Sequence, residues 1–542
     1  MKIEDISKKT DQLIRIEQSD LMPLPYPYDN PEKNPPMKML TQEQRDRYEA
    51  SLDGVLAIGI PKPQSAAEEK TFIDKFLSGL AKLFTKENNW TFLQPLMHSL
   101  EYCVKCQLCN DSCPAYIASG KKEIYRPTFR PEVLRRIINK YLKKSPLSPP
   151  PSQGGPGGLW LKFTGSDIDL NWITVARLAE LAYRCTLCRK CAQVCPLGVD
   201  NGLITHEIRK LFSQELGIAP KELHEQGTIQ QLKVGSSTGL SPKALSNIIS
   251  FMEDDIEEKT GKRIKIPVDK KGAEILLMHN AGEFISWPEN PEAFAIIFDA
   301  AGIDWTLSSE LVGYDAVNYG VWYDDIQLAR IAIAHAETAK KLKVKKISVG
   351  ECGHSHKAMI VVADRVLTGD LNIPRESALP LLEDLVCNER IKIDPNKNNF
   401  PVTLHDPCNM VRLMGLVEPQ RKILRKICPQ FIEMEPHGVE NYCCGGGSGF
   451  AIMQSMNFPD WRSVISGRVK LKQILETFHD TISPEIKKYV CAPCSNCKGQ
   501  IRELFNYYNV WEECGIFYGG LVELIVNAMV DIEKPFIDWE WH

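Results

Sequence analysis

The sequence predicts a multidomain protein of the α plus α/β class, in which a helical domain precedes two similar α/β units. The chain has 542 residues, and at ~150 residues per domain this length suffices for three to four domains. Helical patterns flank two groups of cysteines between residues 90 and 215. From residue 266 onward, short apolar runs alternate with helical patterns, which is typical of α/β units.

The composition is that of an ordinary globular protein, with 43% hydrophobic residues, 25% charged residues and a net charge of −4. This balance provides no general basic surface for nucleic acid. No apolar run approaches the ~18 residues that a membrane span needs, and the N-terminus lacks the apolar region of a signal peptide. We therefore expect a cytoplasmic protein with no transmembrane helix of its own. Because thiols stay reduced there, its 18 cysteines indicate metal or redox chemistry rather than disulfides.

The segments before the α/β units differ in composition. Residues 1–89 are polar and contain many prolines, which predicts an extended arm that wraps its own domain or a partner, with disorder as the alternative. Residues 90–215 form the helical domain, which includes a Pro/Gly-rich insert at 143–160. Residues 216–265 are polar and are predicted to be a helical connector.

The two α/β units occupy residues 266–398 and 399–542 and form an internal repeat. Each is expected to hold three strands with helices between them. The first begins with the apolar run EILLMHN and the second with PVTLHDPC. Cysteines are concentrated in the second unit, so only that unit is expected to carry a metal centre.

The helical domain contains the same cysteine motif twice, C-x2-C-x2-C-x3-C-P, which is the bacterial ferredoxin spacing for [4Fe–4S] clusters. In this arrangement the fourth cysteine of each motif binds the other cluster. The expected ligand sets are Cys103, Cys106, Cys109 and Cys195 for one cluster, and Cys185, Cys188, Cys191 and Cys113 for the other. Zinc is the weaker alternative, because zinc sites separate two CxxC pairs by a longer stretch. The helical flanks and the long gap resemble the α-helical ferredoxin domain of respiratory iron–sulfur subunits.

The second α/β unit carries a further cysteine pattern. Cys408 is followed by the pair Cys443–Cys444 before three glycines, and then by Ala-Pro-Cys-Ser-Asn-Cys at 492–497. Glycines let a backbone approach a bulky group closely, and ligands sit at the carboxyl ends of α/β strands. The pattern resembles the CCG (cysteine-rich) domain of heterodisulfide reductases. That resemblance implies five catalytic cluster ligands: Cys408, Cys443, Cys444, Cys494 and Cys497.

In that family these cysteines can bind a noncubane [4Fe–4S] cluster that splits disulfides, so the resemblance implies such a cluster here. A cubane held by four of the five cysteines and a zinc site are the alternatives. The gap between Cys444 and Cys494 is longer than the family's usual one. An insertion is therefore implied. The CxxC is either Cys491 with Cys494 or Cys494 with Cys497, and the flanking residues favour the latter pair.

The first α/β unit lacks the cysteine pattern and is interpreted as a degenerate, clusterless partner. His279 or Asn280 stands at the first cysteine position, and Leu311-Val312-Gly313 stands at the Cys-Cys-Gly position. Cys352 and two histidines follow its third strand. They either line the pocket and donate protons or have no role, and His405 of the second unit has the same two interpretations. The histidines concerned are His354 and His356.

The remaining cysteines are expected to behave as small buried hydrophobes, with Cys491 left open. These are Cys387, Cys428 and Cys514. The sequence has no GxGxxG after a strand, no P-loop and no C-x-x-C-H haem motif. Electrons must therefore come from another polypeptide or a diffusible donor.

Over about residues 90–535 the layout resembles the HdrD-type subunits, and within that family it resembles DsrK of the membrane complex DsrMKJOP. The resemblance implies an oxidoreductase bound to the inner face of the membrane through partner subunits. It also implies that electrons from a cytochrome b subunit (DsrM-like) pass through two cubanes to a third cluster. That cluster would act on a disulfide or trisulfide of a DsrC-type sulfur-carrier protein. Iron–sulfur relays of glycerol-3-phosphate, glycolate and lactate dehydrogenases belong to the same family, and a relay to quinone is the alternative.

Overall fold

The structure is a computed structural model that describes residues 2–10, 12–47, 52–55, 58–142, 168–450, 452–453 and 460–539. The Pro/Gly-rich insert predicted at 143–160 lies outside the described residues. The longer helices, α1 to α13, are Ala66–Lys82, Leu93–Glu101, Phe129–Tyr141, Trp172–Ala182, Asn201–Leu216, Pro242–Thr260, Glu289–Ala300, Asp325–Leu342, Leu379–Cys387, Glu418–Ile427, Arg468–Thr477, Ser495–Tyr508 and Leu521–Ala528. Shorter α-helices are Gln42–Arg47, Lys86–Asn89, Pro114–Ala118, Lys190–Gln193, Lys221–Leu223, Gln230–Val234, Ala281–Ser286, Leu311–Tyr314, Gly353–His356, Cys408–Met414 and Val510–Cys514.

The helical domain is built around α5. Its first residue follows Asp200, whose carboxylate accepts a hydrogen bond from the Leu203 N–H at 2.9 Å and so caps the helix. The helix ends at Gly217, which adopts a left-handed conformation. Helices α1, α2, α3 and α4 all pack against α5. Gly79 allows α1 to approach closely, because a Cβ there would lie 2.4 Å from Leu211.

The described part of the N-terminal segment packs on the rest of the chain. Ile3 and Ile6 are buried in the core of the helical domain. The guanidinium of Arg177 donates a hydrogen bond to the Ile6 carbonyl at 2.9 Å. The Tyr28 hydroxyl donates to the Tyr508 carbonyl at 2.6 Å, at the end of α12. This segment therefore contacts both the helical domain and the second α/β unit.

Each α/β unit contains a sheet of four parallel strands, and the two sheets have the same strand order, β2-β1-β3-β4 and β6-β5-β7-β8. The strands β1 to β8 are Ile275–Met278, Trp305–Thr306, Lys346–Val349, Arg375–Ser377, Val402–Leu404, Phe431–Ile432, Lys488–Cys491 and Ile516–Gly519. The expectation of three strands per unit was wrong, because β4 and β8 each add an edge strand. β4 is polar, and β8 follows a helix after a single glycine, so neither gives an isolated apolar run.

The loops that follow β3 and β7 contact each other, so the carboxyl ends of the two sheets meet. The Ser495 N–H donates to the Glu351 carbonyl at 3.0 Å, and the Gly353 N–H donates to the Cys494 Sγ at 3.2 Å. This contact joins the first unit to the cysteine-bearing loop of the second. Among the described helices, none is both long enough and apolar enough to cross a membrane.

Candidate iron–sulfur and thiol centres

The structure brings the eight cysteines of the helical domain into two groups. The first cysteine group consists of Cys103, Cys106, Cys109 and Cys195, which line one cavity. The second cysteine group consists of Cys113, Cys185, Cys188 and Cys191, which line another. Each fourth cysteine thus lies with the other motif, which is the arrangement that the crossed ligand sets require. Burial and neighbouring thiols raise the pKa of Cys109 to about 12 and that of Cys113 to about 12.

The two motifs have the same unusual backbone. Lys105 and Leu187 occupy equivalent positions and have φ values of 58° and 51°. Gln107 and Arg189 are also equivalent, with φ values of 65° and 60°. Left-handed conformations are uncommon for residues other than glycine and concentrate at functional sites. Four such residues at repeated positions indicate that both loops are wound around a centre of the same shape.

The third cysteine group consists of Cys408, Cys443, Cys444, Cys494 and Cys497, and its thiols form a continuous series of contacts. Cys443 is in hydrogen-bond contact with Cys408 and Cys444. Cys444 contacts Cys497, which in turn contacts Cys494. All of them except Cys408 are buried. Hydrogen bonds from Cys443 and Cys497 hold the pKa of Cys444 well below its usual range, so the group favours at least one thiolate.

Local structure places each member of this group. Cys408 begins a short helix, Cys408–Met414, soon after β5. Cys494 directly precedes α12, and Cys497 lies in the first turn of that helix. Cys443 and Cys444 lie in a loop whose own backbone N–H groups donate hydrogen bonds to the two thiols. In it, the Gly445 N–H donates to the Cys443 Sγ at 3.4 Å, and the Gly446 N–H donates to the Cys444 Sγ at 3.5 Å.

The glycines after this pair allow close packing. A Cβ on Gly446 would lie 2.6 Å from the Cβ of Gln500 in α12. A Cβ on Gly447 would lie 2.6 Å from the carbonyl oxygen of Thr186, within the second cysteine motif. The loop can therefore touch both its own unit and the helical domain only because these positions lack side chains.

The second and third cysteine groups meet directly. The thiols of Cys188 and Cys443 are in hydrogen-bond contact. Arg412, on the helix that begins at Cys408, donates to the Cys188 carbonyl at 2.8 Å. The Ser448 hydroxyl donates to the Cys185 carbonyl at 2.8 Å. Hydrogen bonds thus hold the second and third cysteine groups in contact. No motif predicted this contact, because it depends on how the domains pack.

Residues of the first α/β unit complete the surroundings of Cys494. The Cys352 thiol is in hydrogen-bond contact with Cys494. It also accepts hydrogen bonds from the Asn280 amide at 3.5 Å and from the Ser355 N–H at 3.5 Å. The first unit therefore contributes one thiol next to the third cysteine group.

The two histidines after Cys352 have local partners. The ring of His356 bonds to the Cys352 carbonyl and to the Ser377 hydroxyl, both at 2.8 Å. The His354 Nε2 accepts from the Asn318 N–H at 3.1 Å, and burial lowers the pKa of His354 to about 3. Two bonds fix the His356 ring, which leaves neither of its nitrogens free to line the pocket.

Two family models match the chain. The 4Fe-4S dicluster domain matches residues 99–199, and the cysteine-rich domain, CCG, matches residues 402–502. Hdr-like menaquinol oxidoreductase iron-sulfur subunit 2 of Archaeoglobus fulgidus is 24% identical over 80% of the chain and 81% of that relative. A subunit of the dihydromethanophenazine:CoB–CoM heterodisulfide reductase of Methanosarcina acetivorans is 25% identical over 74% of the chain and 88% of that relative. EtfAB:quinone oxidoreductase of Syntrophomonas wolfei is 22% identical over 83% of the chain and 61% of that relative.

The chain is an HdrD-like iron–sulfur protein. It is an oxidoreductase subunit of the heterodisulfide reductase type. The dicluster domain implies two cubane clusters, and the CCG cysteines suggest a further cluster.

The residues around the third cysteine group of this HdrD-like protein suit an anionic metal–thiolate centre. Burial lowers the pKa of Lys470 to about 7, and the negative charges of Asp406 and Cys444 oppose this shift and favour the ammonium form. Arg462 is 0% exposed and none of its nitrogens forms a hydrogen bond within the described chain. The nearest carboxylate oxygen, on Glu503, is 3.7 Å away. Because a buried cation needs a compensating charge, these two cations fit a centre that several thiolates make negative.

The other cysteines of the HdrD-like protein divide as follows. Cys428 and Cys514 are buried, as expected. Cys387 ends α9 close to solvent and is only partly buried. The expectation that it is a buried hydrophobe was therefore wrong. Cys491 ends β7 and lies in a hydrophobic core that does not contain the third cysteine group. Of the two possible CxxC pairs, the structure brings Cys494 and Cys497 together with Cys444.

Proposed function

We propose that this protein carries electrons through its dicluster domain to a third iron–sulfur centre at Cys408, Cys443, Cys444, Cys494 and Cys497, where the S–S bond of a disulfide is reduced. The disulfide takes up two electrons and two protons, its S–S bond breaks, and two thiols form. The contact between Cys188 and Cys443 carries this proposal, because it brings the second cysteine group directly against the third.

When bound, iron–sulfur clusters supply one-electron transfer and, at the third group, iron sites that can hold sulfur. The chain supplies the surroundings. Burial of Cys443, Cys444 and Cys494 excludes water from the sulfur atoms, and Lys470 and Arg462 stabilise negative charge there. The Cys352 thiol of the first α/β unit lies against Cys494.

The relatives support a place in a membrane-associated complex. One of them is named as a menaquinol oxidoreductase subunit and another as a heterodisulfide reductase subunit. By this analogy the electrons come from a membrane cytochrome b subunit (DsrM-like), and the protein lies on the inner membrane face through its partners. In its narrower form the proposal is a DsrK-type role in dissimilatory sulfur metabolism, with the disulfide or trisulfide of a DsrC-type carrier as the substrate. A trisulfide has two S–S bonds, so its full reduction takes up four electrons and four protons and gives two thiols and hydrogen sulfide.

The test uses anaerobically purified full-length protein with reduced methyl viologen as the electron donor. We expect reduction of a DsrC trisulfide by the wild-type protein, loss of this activity in Cys443→Ser, and retention in the control Cys387→Ser. Cys387 suits the control because it is partly exposed at the end of α9 and belongs to none of the three groups. Equal loss in both variants, or no activity in the intact protein, would refute the proposal.

Metal analysis supplies a second criterion. Three four-iron clusters require about twelve irons per chain. An active protein that contained zinc and no iron would end the redox interpretation altogether.

A relay to quinone is the second candidate, and the similarity to EtfAB:quinone oxidoreductase over 83% of the chain favours it. In that case the protein performs no disulfide chemistry and serves a flavin dehydrogenase of the glycerol-3-phosphate, glycolate or lactate type. EPR separates the two functions. A third centre that binds substrate sulfur should give a new paramagnetic signal when a thiol is added to the oxidised protein, whereas a simple relay should not.

A further inference from the structure

His405 lies at the third cysteine group, where its ring is in hydrogen-bond contact with the Cys444 thiol. It follows β5 directly, and its backbone N–H donates to the Cys491 carbonyl at 2.8 Å, which fixes the start of the loop. The side chain is 0% exposed. Neither ring nitrogen forms a hydrogen bond to an oxygen or nitrogen atom of the described chain. Sulfur is only a weak hydrogen-bond partner, and a buried polar group that is poorly paired is destabilising, so the position requires an explanation.

The other buried histidines in the described part of the chain show what a structural role looks like. The ring of His279 bonds to Glu283 at 2.7 Å, and that of His335 bonds to the Asp315 carbonyl at 2.9 Å. His206 bonds to Glu207 at 3.0 Å. His354 and His356 bond to backbone and hydroxyl groups. Each of these rings has at least one conventional partner, and His405 differs from all of them.

The polar groups next to His405 are already committed. Asp406 accepts hydrogen bonds from Arg421 at 2.8 Å and from the Gly438 N–H at 2.6 Å. The ammonium of Lys470 donates to Asn441 at 2.6 Å and to Gln473. None of these groups accepts from or donates to the imidazole. What remains near the ring is sulfur.

The ring nitrogen, the Cys444 Sγ and the Cys497 Sγ lie within 4.8 Å of one another. Ligand atoms on one tetrahedral metal lie about 3.3–3.8 Å apart when the metal–ligand bonds are about 2.0–2.3 Å long. The three atoms are therefore close enough to bind one metal ion after small side-chain adjustments. Imidazole and thiolate are both established ligands of iron in iron–sulfur centres.

We propose that His405 is an iron ligand of the third centre, through one of its ring nitrogens. This inference rests on the proposed function, because it assumes an iron–sulfur centre at the third cysteine group. A neutral imidazole adds no negative charge, whereas every further thiolate adds one. In Rieske centres, histidine in place of cysteine raises the reduction potential, and we expect the same direction here relative to a variant with a thiolate at this position.

Pulsed EPR of nitrogen hyperfine coupling tests the assignment without any measurement of activity. The full-length protein is prepared anaerobically with natural-abundance histidine and with ¹⁵N-histidine. A directly bound nitrogen should give a strong coupling to the reduced clusters that changes with the isotope. The coupling should be lost in His405→Ala and in His405→Cys, and it should persist in the control His354→Ala.

His405→Cys keeps a metal-binding side chain at this position. Loss of the nitrogen coupling in this variant therefore cannot be attributed to a third centre that fails to assemble. This variant should retain about twelve irons per chain, lose the nitrogen coupling and lower the reduction potential of the third centre. Twelve irons in the wild-type protein without histidine coupling would overturn the assignment and leave the proposed function intact. About eight irons, which is the content of two clusters, would overturn both. Coupling that survives in His405→Ala would assign the nitrogen to another residue and overturn the proposal.

Discussion

The thiols of Cys188 and Cys443 touch across the boundary between the helical domain and the second α/β unit. Cys188 belongs to the second cysteine group, and Cys443 belongs to the third. Because the two groups meet through these thiols, electron transfer between them depends on how tightly this boundary packs. Arg412 and Ser448 hold it through hydrogen bonds to the backbone of the second motif.

Gly447→Ala should open this boundary. The new Cβ would meet the Thr186 carbonyl oxygen at 2.6 Å, which forces the Cys443–Cys444 loop away from the second cysteine motif. We expect slower reduction of the third centre by the dicluster domain, measured by rapid-freeze EPR after mixing with dithionite. Gly217→Ala is the control: its Cβ would meet nothing within 4 Å, and its left-handed backbone adds about 1–2 kcal/mol of strain far from the cysteine groups. Equal rates in the two variants would contradict the prediction.

Each ferredoxin motif ends in a fourth cysteine, Cys113 in the first motif and Cys195 in the second. Substitution of these two residues tests whether each binds the cluster of the other motif. Because Cys195 lines the cavity of the first cysteine group, Cys195→Ser should remove the same EPR signal as Cys106→Ser. Because Cys113 lines the cavity of the second group, Cys113→Ser should remove the same signal as Cys188→Ser. Redox-titrated EPR spectra of the four variants provide the comparison. If Cys195→Ser instead matched Cys188→Ser, each motif would bind its own cluster.

The cysteine groups could be predicted from the sequence more easily than their surroundings. Eight cysteines at fixed spacing predict two groups, because the spacing itself sets how the loops wind. The role of His405 was not decided by its sequence, since such a histidine is recognised only by burial without conventional partners. Arg462 and Lys470 lie 18 or more residues from the pair Cys443–Cys444, and only folding brings their charges to the thiols. Short edge strands such as β4 escaped prediction because they carry no apolar pattern.

Asp53→Asn should loosen the N-terminal segment. Asp53 is buried and accepts two hydrogen bonds from Arg184 at 2.8 Å. The substitution removes one anionic partner from a buried guanidinium that also pairs with Glu180. Breaking a buried pair costs about 3–5 kcal/mol, so the apparent Tm should fall and proteolysis near residue 53 should accelerate. Asp384→Asn breaks an exposed pair with Arg390 and should change neither. A variant of Asp53 as stable as wild type would show that the segment does not depend on this ion pair.

Glu292 should make the stability of the first α/β unit depend on pH. Burial raises the pKa of Glu292 to about 8, although Lys259 lies 3.2 Å away and opposes the shift. One of its carboxyl oxygens has no hydrogen-bond partner in the described structure. The folded-state pKa thus exceeds the unfolded value of 4.5, so protonation favours the fold. This contribution is complete below pH 4.5 and is lost as the pH rises toward about 8.

Glu292→Gln mimics the protonated form, and its Tm should therefore fall less than that of wild type between pH 4.5 and about pH 8. The control Glu274→Gln alters an exposed carboxylate immediately before β1 and should keep the wild-type slope. Thermal unfolding followed by circular dichroism across this pH range provides the comparison. Parallel curves for wild type and Glu292→Gln would mean that Glu292 is ionised in the folded protein throughout this range.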